Sequence, residues 1–319
     1  MIGIVILNYK TWNDTVKCVE SIIETAHVEY KIYVVDNNSP DDSYIQLKSK
    51  FNYFNNVCIV KSYRNGGYSA GNNIGIRLAL SDGADALLLT NSDIIFFENA
   101  IDSIYKCILD NPQVGVVGPK VLLQDGGVQH LIRENYTFFN YIFSKKPLVY
   151  LKFLNINNKT MYGGYKYDND LLFFGCLSGC CICLSTKCLE KIGLLDESIF
   201  LYYEEAIIGY KAKQNNMLTC FKHEACVLHK SSSSIGSKNS AFSRFHRYYS
   251  SLYVLRKYVG INSLEYTLVF LINYIPFLLS AIVKNEYRLL LKKFTKSCLK
   301  LYRVRRVNIC NEGIDDYAK

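Results

Sequence analysis

The feature of this sequence that most limits its fold is a strand–helix alternation over the first 120 residues, in which apolar runs end on polar clusters. Residues 2–7, 31–35, 57–60, 86–90 and 114–117 are runs suited to strands, and the first is continuous enough for burial on both faces. Between them, residues 14–23, 44–50 and 101–109 carry apolar side chains at helical spacing, and a Gly/Asn-rich turn at 66–75 enters a helix that reaches Leu80. Strands separated by helices at this spacing predict a parallel, doubly wound α/β sheet. Ligands of such sheets bind beyond the carboxyl ends of the strands. This chain places Asn8 and Tyr9, Asp36 through Ser39, Arg64 and Asn65, and Asn91 through Asp93 at those ends.

Two nucleotide-binding classes are disfavoured at once. No G-x-G-x-x-G follows the first run and no G-x-x-x-x-G-K-[ST] occurs, so neither a dinucleotide dehydrogenase nor a P-loop NTPase is indicated. The net charge of +9 has an address: residues 284–319 hold 10 Lys/Arg and 4 acids, leaving 27 basic and 24 acidic side chains in the first 283 residues. A nearly neutral body with no basic–aromatic repeat speaks against nucleic acid as a partner. Residues 2–7 are too short for the apolar core of an export signal, and the 12 cysteines are expected to be reduced thiols. Cys176, Cys180, Cys181, Cys183 and Cys188 lack the paired spacing of a structural zinc site; Cys181 and Cys183 alternate with Ile182 and Leu184 as small core residues of a strand.

The second half is less regular. Residues 126–167 are rich in Asn, Tyr and Lys and predict a long mobile connection. An apolar segment at 173–184 surrounds Ser178 and Gly179, a helix follows at 186–192, and Tyr202, Tyr203, Glu204 and Glu205 form a second polar constellation entering another helical pattern. His229 follows a short strand at 225–228. Residues 267–283 carry no charge, but 17 residues interrupted by Asn273 and Pro276 sit at the lower limit of a membrane span. A span would also put the basic tail on the wrong side. A helix lying in the membrane interface, with the Lys/Arg run on anionic headgroups, satisfies both features, against the alternatives of a buried core helix or a true span.

These stretches, in this order, resemble a family 2 glycosyltransferase of the GT-A fold, similar to its bacterial rhamnosyltransferase-like branch, over residues 2–258. The resemblance is carried by Val5-Ile6-Leu7-Asn8-Tyr9, Val34-Val35-Asp36-Asn37-Asn38-Ser39, Asn65-Gly66-Gly67-Tyr68-Ser69-Ala70-Gly71-Asn72-Asn73 and Leu89-Thr90-Asn91-Ser92-Asp93. Gln129-His130, Ser178-Gly179, Gly193 through Glu197, Tyr202 through Glu205, and His229 complete it. It implies a Rossmann-like, mostly parallel sheet with flanking helices, a nucleotide-binding half at about 1–120, an acceptor half at about 121–258, and a helical, membrane-associating segment at 259–319.

It further implies a nucleotide-sugar site (dTDP-, UDP- or GDP-linked) lined by Asn8, Asp36, Arg64, Asn65, Gly71, Asn73, Asn91 and Ser92, with Gly66, Gly67 and Gly71 letting the backbone approach the ligand. Asp36 would accept from the base N–H. Asp93, in the D-x-D position with Asn91 replacing the first Asp, and His229 would hold a divalent cation, Mn or Mg. Gly179 and Lys211 would face the acceptor. The base falls to Glu205, beside Glu204, where the family places an Asp. Ile207 replaces a second acid and Lys211 an Arg, which is not a neutral exchange. The implied activity is inverting sugar transfer to a lipid-linked glycan at the cytoplasmic membrane face, in surface polysaccharide assembly such as O-antigen or capsule. The alternative is an impaired nucleotide-binding scaffold.

Overall fold

A computed structural model describes residues 1–129, 132–145, 167–230 and 240–304. The chain begins β1 (Ile2–Asn8), α1 (Trp12–Thr25), β2 (Tyr30–Asp36), α2 (Ser43–Phe51), β3 (Val57–Lys61), α3 (Tyr68–Ser81), β4 (Ala86–Asn91). It continues through β5 (Ile94–Phe96), α4 (Ala100–Asp110), β6 (Val114–Leu123), β7 (Arg133–Glu134), α5 (Phe138–Phe143), β8 (Leu171–Phe173), β9 (Gly175–Cys176) and β10 (Cys181–Ser185). Then come α6 (Thr186–Ile192), α7 (Glu204–Gln214), β11 (Leu218–His229), α8 (Ala241–Val254), a π-helical turn (Leu255–Val259), α9 (Ser263–Val283) and α10 (Asn285–Leu301).

The main sheet runs β3-β2-β1-β4-β10-β6-β11-β5, with β8 also on β11. Its first half is parallel, as the alternation requires: β1 pairs with β2 and β4, and β2 with β3. The second half is mixed: β6 and β11 are again parallel, while β10 enters antiparallel between β4 and β6, and β5 and β8 lie antiparallel to β11. Every residue of β10 is buried, which puts Cys181 and Cys183 in the core as small apolar side chains. All described cysteines are free thiols.

The reading of 126–167 as a long connection is corrected where it is described: it contains β7 and α5, while residues 130–131 and 146–166 lie outside the described residues. Helix α5 is short but well started, because Thr137 and Asn140 cap each other reciprocally. It belongs to a second apolar core shared with α7, α8, α9 and α10.

Helices α9 and α10 form an antiparallel hairpin about Lys284. Phe277 stacks on Phe294 at 4.5 Å and meets Tyr287 edge-on at 5.0 Å. The midpoint of α9 is tied to the body. Tyr141 Oη, on α5, donates to Asn273 Oδ1 at 3.0 Å and lies 2.8 Å from Ser251 Oγ on α8. The opposite face of α9 leaves Leu264, Leu268, Leu271, Ile275, Leu279 and Ile282 exposed. On α10, Lys292, Lys293, Lys296 and Lys300 face outward. Among the described residues, α9 is the one helix long and apolar enough to cross a membrane.

Candidate active site

The polar ends of β1 and β2 close on each other. Asn8 Nδ2 donates to Asp36 Oδ1 at 2.7 Å, while Thr15 Oγ1 donates to Asn8 Oδ1 at 2.8 Å. Asp36 also accepts from Ser39 Oγ (2.6 Å) and Ser39 N (3.1 Å). Asn8 and Asp36 are both fully buried. A carboxylate offers about four acceptor positions, and these three donors leave Asp36 one. Asn37 Nδ2 reaches Asn65 Oδ1 at 3.0 Å, and Asn65 Oδ1 also accepts from Gly67 N at 3.1 Å. Asn65 is thereby fixed in the turn before α3, while Arg64 beside it is exposed.

The second cluster is built by the turn from β4 to β5. β4 ends at Asn91; Ser92 Oγ lies 2.9 Å from Thr11 Oγ1; and β5 pairs with β11 so that His229 stands opposite Ile94. That register brings His229 Nε2 to 3.4 Å from Asp93 Oδ1. On its other side, His229 Nδ1 meets Gln129 Oε1 at 2.8 Å, and Gln129 Nε2 donates to Ser178 Oγ at 2.9 Å. An amide oxygen only accepts, so Nδ1 donates to Gln129, and Nε2 is the ring nitrogen that faces the Asp93 carboxylate. With Nε2 unprotonated, this nitrogen and the Asp93 oxygen would suit a shared divalent cation, and the Gln129 contact is the outer-shell support such a His ligand uses. Among the described residues no group of three or more His, Cys, Asp and Glu gathers to hold a metal; the remaining ligands would come from outside this set. His130 lies outside the described residues.

The third cluster opens α7. Tyr202 and Tyr203 both adopt left-handed backbone, φ 70° and 74°, a conformation costing non-glycine residues about 1–3 kcal/mol each. The helix starts immediately after them with Glu204 and Glu205. Gly179, on the loop before β10, faces Glu205: a Cβ there would sit 3.6 Å from Glu205 Oε2. The Gly179 carbonyl is held by Tyr68 Oη at 2.9 Å. Arg133 Nη1 stands 3.5 Å from Glu205 Oε1 and donates to Tyr136 Oη at 3.2 Å. Burial raises the Glu205 carboxyl above its usual value, and Arg133 opposes that rise. Burial, reinforced by the charge of Glu205, pushes Glu204 up to about 8. Arg133 thus favours the charged form of Glu205, while the charge of Glu205 adds to the rise at Glu204. The Gln129–Ser178–Gly179 path links this cluster to Asp93 and His229.

Three assignments from the sequence point elsewhere. Asn73 is not turned toward a ligand: its amide donates to the Leu195 carbonyl at 2.9 Å and to Glu197 Oε1 at 2.8 Å, and accepts from Leu195 N at 3.0 Å. It fastens α3 to the loop before α7. Lys211 is buried two turns into α7, its ammonium donating to the Ile192 carbonyl at 2.8 Å, which directs it toward α6 and not toward Gly179. Gly71 gives α3 close approach to β1, since a Cβ there would strike Leu7; the close approach is to a strand, not to a ligand. Gly67 has φ +89° and lies against the Phe200 backbone, to whose carbonyl Tyr68 N donates. Arg133 falls in none of the sequence motifs; its one sign in the sequence is that it is the single Lys or Arg between Lys120 and Lys145.

The sheet, with the three clusters at one end of it, has the GT-A architecture. Residues 3–173 match the sequence profile of Glycosyl transferase family 2, which is more than half of the chain, and the chain belongs to that family. The chain is 27% identical over 217 residues to the low-salt glycan biosynthesis hexosyltransferase Agl10 of Haloferax volcanii, covering 68% of this chain and 62% of that relative. It therefore spans less than two thirds of that relative's length. Among solved structures, GalNAc-T7 with UDP, GalNAc and Mn2+ superposes with a TM-score of 0.57 at 14% identity, over 94% of this chain and 54% of the other. Staphylococcus aureus TarS in complex with UDP-GlcNAc gives 0.56 at 14% identity, over 94% and 81%.

Proposed function

We propose that this chain transfers a sugar, with inversion, from a nucleoside-diphosphate sugar to a hydroxyl of a glycan acceptor. The observation that carries the reading is the spatial one. A half-buried carboxylate, Glu205, faces Gly179, and the Asp93–His229 pair is joined to this glycine's loop through Gln129 and Ser178. Glu205 takes the proton of the acceptor hydroxyl as that oxygen forms its bond to the anomeric carbon. The bond from that carbon to the diphosphate oxygen breaks, and the nucleoside diphosphate leaves with the electron pair. Asp93 and His229 would hold a divalent cation, Mn2+ or Mg2+, which when bound neutralises negative charge on the departing diphosphate. Asp36 offers its one remaining acceptor position to the base, Arg64 bounds the same end, and Asn91 and Ser92 lie on the path between base and cation. Gly179 leaves room for the acceptor beside Glu205.

The acceptor side of the reading is a lipid-linked glycan, in surface polysaccharide synthesis of the O-antigen or capsule kind, with a rhamnosyl-type donor from the branch this chain resembles. The C-terminal hairpin supports a peripheral position on the cytoplasmic membrane face. Crossing the bilayer would strip Asn273 from Tyr141 and Ser251 and leave its amide in hydrocarbon. Lying in the interface keeps those bonds while the apolar face of α9 and the lysines of α10 meet an anionic surface.

Thermal-shift screening of UDP-, GDP- and dTDP-sugars with and without Mn2+ or Mg2+, followed by transfer and donor-hydrolysis assays, tests the function. Glu205→Gln should bind donor as the wild type does and lose turnover by about 100-fold or more. Donor binding with neither transfer nor hydrolysis in the wild type would replace the transferase by the scaffold reading.

A further inference from the structure

We infer that Arg133 is the positioning residue for Glu205, its guanidinium fixing where the carboxylate sits and keeping it negatively charged. This rests on the reading of Glu205 as the base.

The backbone around Arg133 is locked. β7 pairs with β9 so that Arg133 stands opposite Cys176 and Glu134 opposite Gly175. A Cβ on Gly175 would strike the Arg133 carbonyl, and a Cβ on Gly209 of α7 would come 2.5 Å from the Gly175 carbonyl and 2.9 Å from Cys176 Cβ. Three backbones therefore meet without side chains between them, and the distance from Arg133 to the start of α7 is set by main-chain contact. The guanidinium is restrained as well, because the Nη1 that faces Glu205 also donates to Tyr136 Oη, whose ring packs on Tyr203 with centroids 5.1 Å apart.

The charge environment makes this cation matter. The groups beside Glu205 from its own and neighbouring elements are Glu204, Tyr203, Tyr68 of α3 and Cys176 of β9. Each is an acid or a neutral hydrogen-bonding group, so among the described residues Arg133 is the cation beside this carboxylate. Both members of the Arg133–Glu205 pair are largely withdrawn from solvent, with side chains 22% and 17% exposed. At such a site an opposite charge is screened much less than at the surface. Geometry gives the pair a second use. Glu205 is one methylene longer than the Asp that the family resemblance places there, and a longer side chain has more conformations to lose. A fixed guanidinium selects the conformation that points its carboxylate at Gly179.

The test is the pH profile of kcat/KM for the wild type, Arg133→Gln and Arg133→Lys, with thermal unfolding and donor Kd as controls on folding and on the donor site. Removing an opposite charge at this distance raises a carboxyl by about one pH unit or more. Arg133→Gln should therefore move the acid limb upward by that amount, with about a 10-fold loss on the acid side and recovery toward wild type on the alkaline plateau. Arg133→Lys should return the limb most of the way. An even loss at all pH values with the limb unmoved would overturn the inference, because a merely structural role acts that way. If the wild type transfers no sugar, the proposed function fails. The Arg133 role is then read from the Glu205 carboxyl itself, titrated by 13C NMR and assigned with Glu205→Gln. A titration midpoint unchanged in Arg133→Gln would overturn it.

Discussion

Replacing Glu204 by glutamine should make this protein more stable than the wild type above neutral pH, although the side chain lies in the candidate active site. Glu204 is 8% exposed, one of its carboxyl oxygens has no hydrogen-bond partner among the described residues, and its neighbour in sequence, Glu205, is a second acid largely withdrawn from solvent. Burial first, and the Glu205 charge second, raise it from 4.5 to about 8. The folded state thus keeps a proton that the unfolded chain releases near 4.5. Stability from this group is fully present below the unfolded value and is lost as pH rises through about 8. Each pH unit separating the folded from the unfolded titration is worth about 1.4 kcal/mol, so the whole effect is roughly 4–5 kcal/mol. That is a large share of the roughly 5–15 kcal/mol typical of a domain.

Glutamine has the shape of the protonated acid and no charge to lose. Urea unfolding followed by far-UV circular dichroism and by the single tryptophan, Trp12, at intervals from about pH 4.5 to 9 would measure the difference between variant and wild type. That difference should be small at the acid end and grow toward the alkaline end, with the variant ahead by several kcal/mol. A difference that stays constant to within about 1 kcal/mol across the range would refute the reasoning, because an ordinary surface carboxyl behaves that way.

Three further outcomes follow from the same structure. Gly209→Ala should cost about 1–3 kcal/mol by overpacking, measurable as a lower Tm. It should also reduce transfer more than donor binding, because α7 must shift away from β9 and carries Glu205 with it; unchanged kcat would contradict this. Asp93→Ala and His229→Ala should each abolish the Mn2+-dependent part of the donor-induced thermal shift and leave nucleoside recognition in place, with isothermal titration as the check. Charge reversal of Lys292, Lys293, Lys296 and Lys300 should remove salt-sensitive binding to anionic vesicles while leaving Tm and donor affinity near wild type, each lysine contributing about 1 kcal/mol.

Much of this architecture is legible in one dimension, for physical reasons that also mark where legibility ends. A strand buried on both faces must be apolar throughout, so β1, β2 and β4 show in the sequence as uninterrupted runs, and the chain must turn polar where they emerge. Asn8, Asp36 and Asn91 through Asp93 stand out for that reason. The direction of β10 is not legible, because five buried residues look alike in parallel and antiparallel ladders. β5 and α5 are too short to produce a periodic signal, although the Thr137–Asn140 cap is there to be read.

Side-chain aim is the least legible property. Asn73 and Lys211 occupy suggestive places in their segments, yet the first reaches the Leu195 loop and the second the end of α6, and the partners that decide this lie far off in sequence. Gly71 shows the same limit, because a glycine needed by a neighbouring strand and one needed by a ligand look identical in one dimension. Arg133 cannot be linked to Glu205 at all without the β7–β9 pairing, which joins two segments distant in the chain. The C-terminal stretch lies in between. Its apolar and basic character is plain, whereas the bond from Tyr141 to Asn273, on which the proposed interfacial position rests, is a tertiary fact.

The proposed chemistry depends on Glu205 acting as a base in a nucleotide-sugar site. The direct measurement is turnover, transfer and donor hydrolysis together, of the full chain with Mn2+ and the donor that thermal shift selects, wild type against Glu205→Gln. The expected result is measurable wild-type turnover that falls by about 100-fold or more in the variant with donor Kd unchanged. Equal turnover in the two proteins would contradict it.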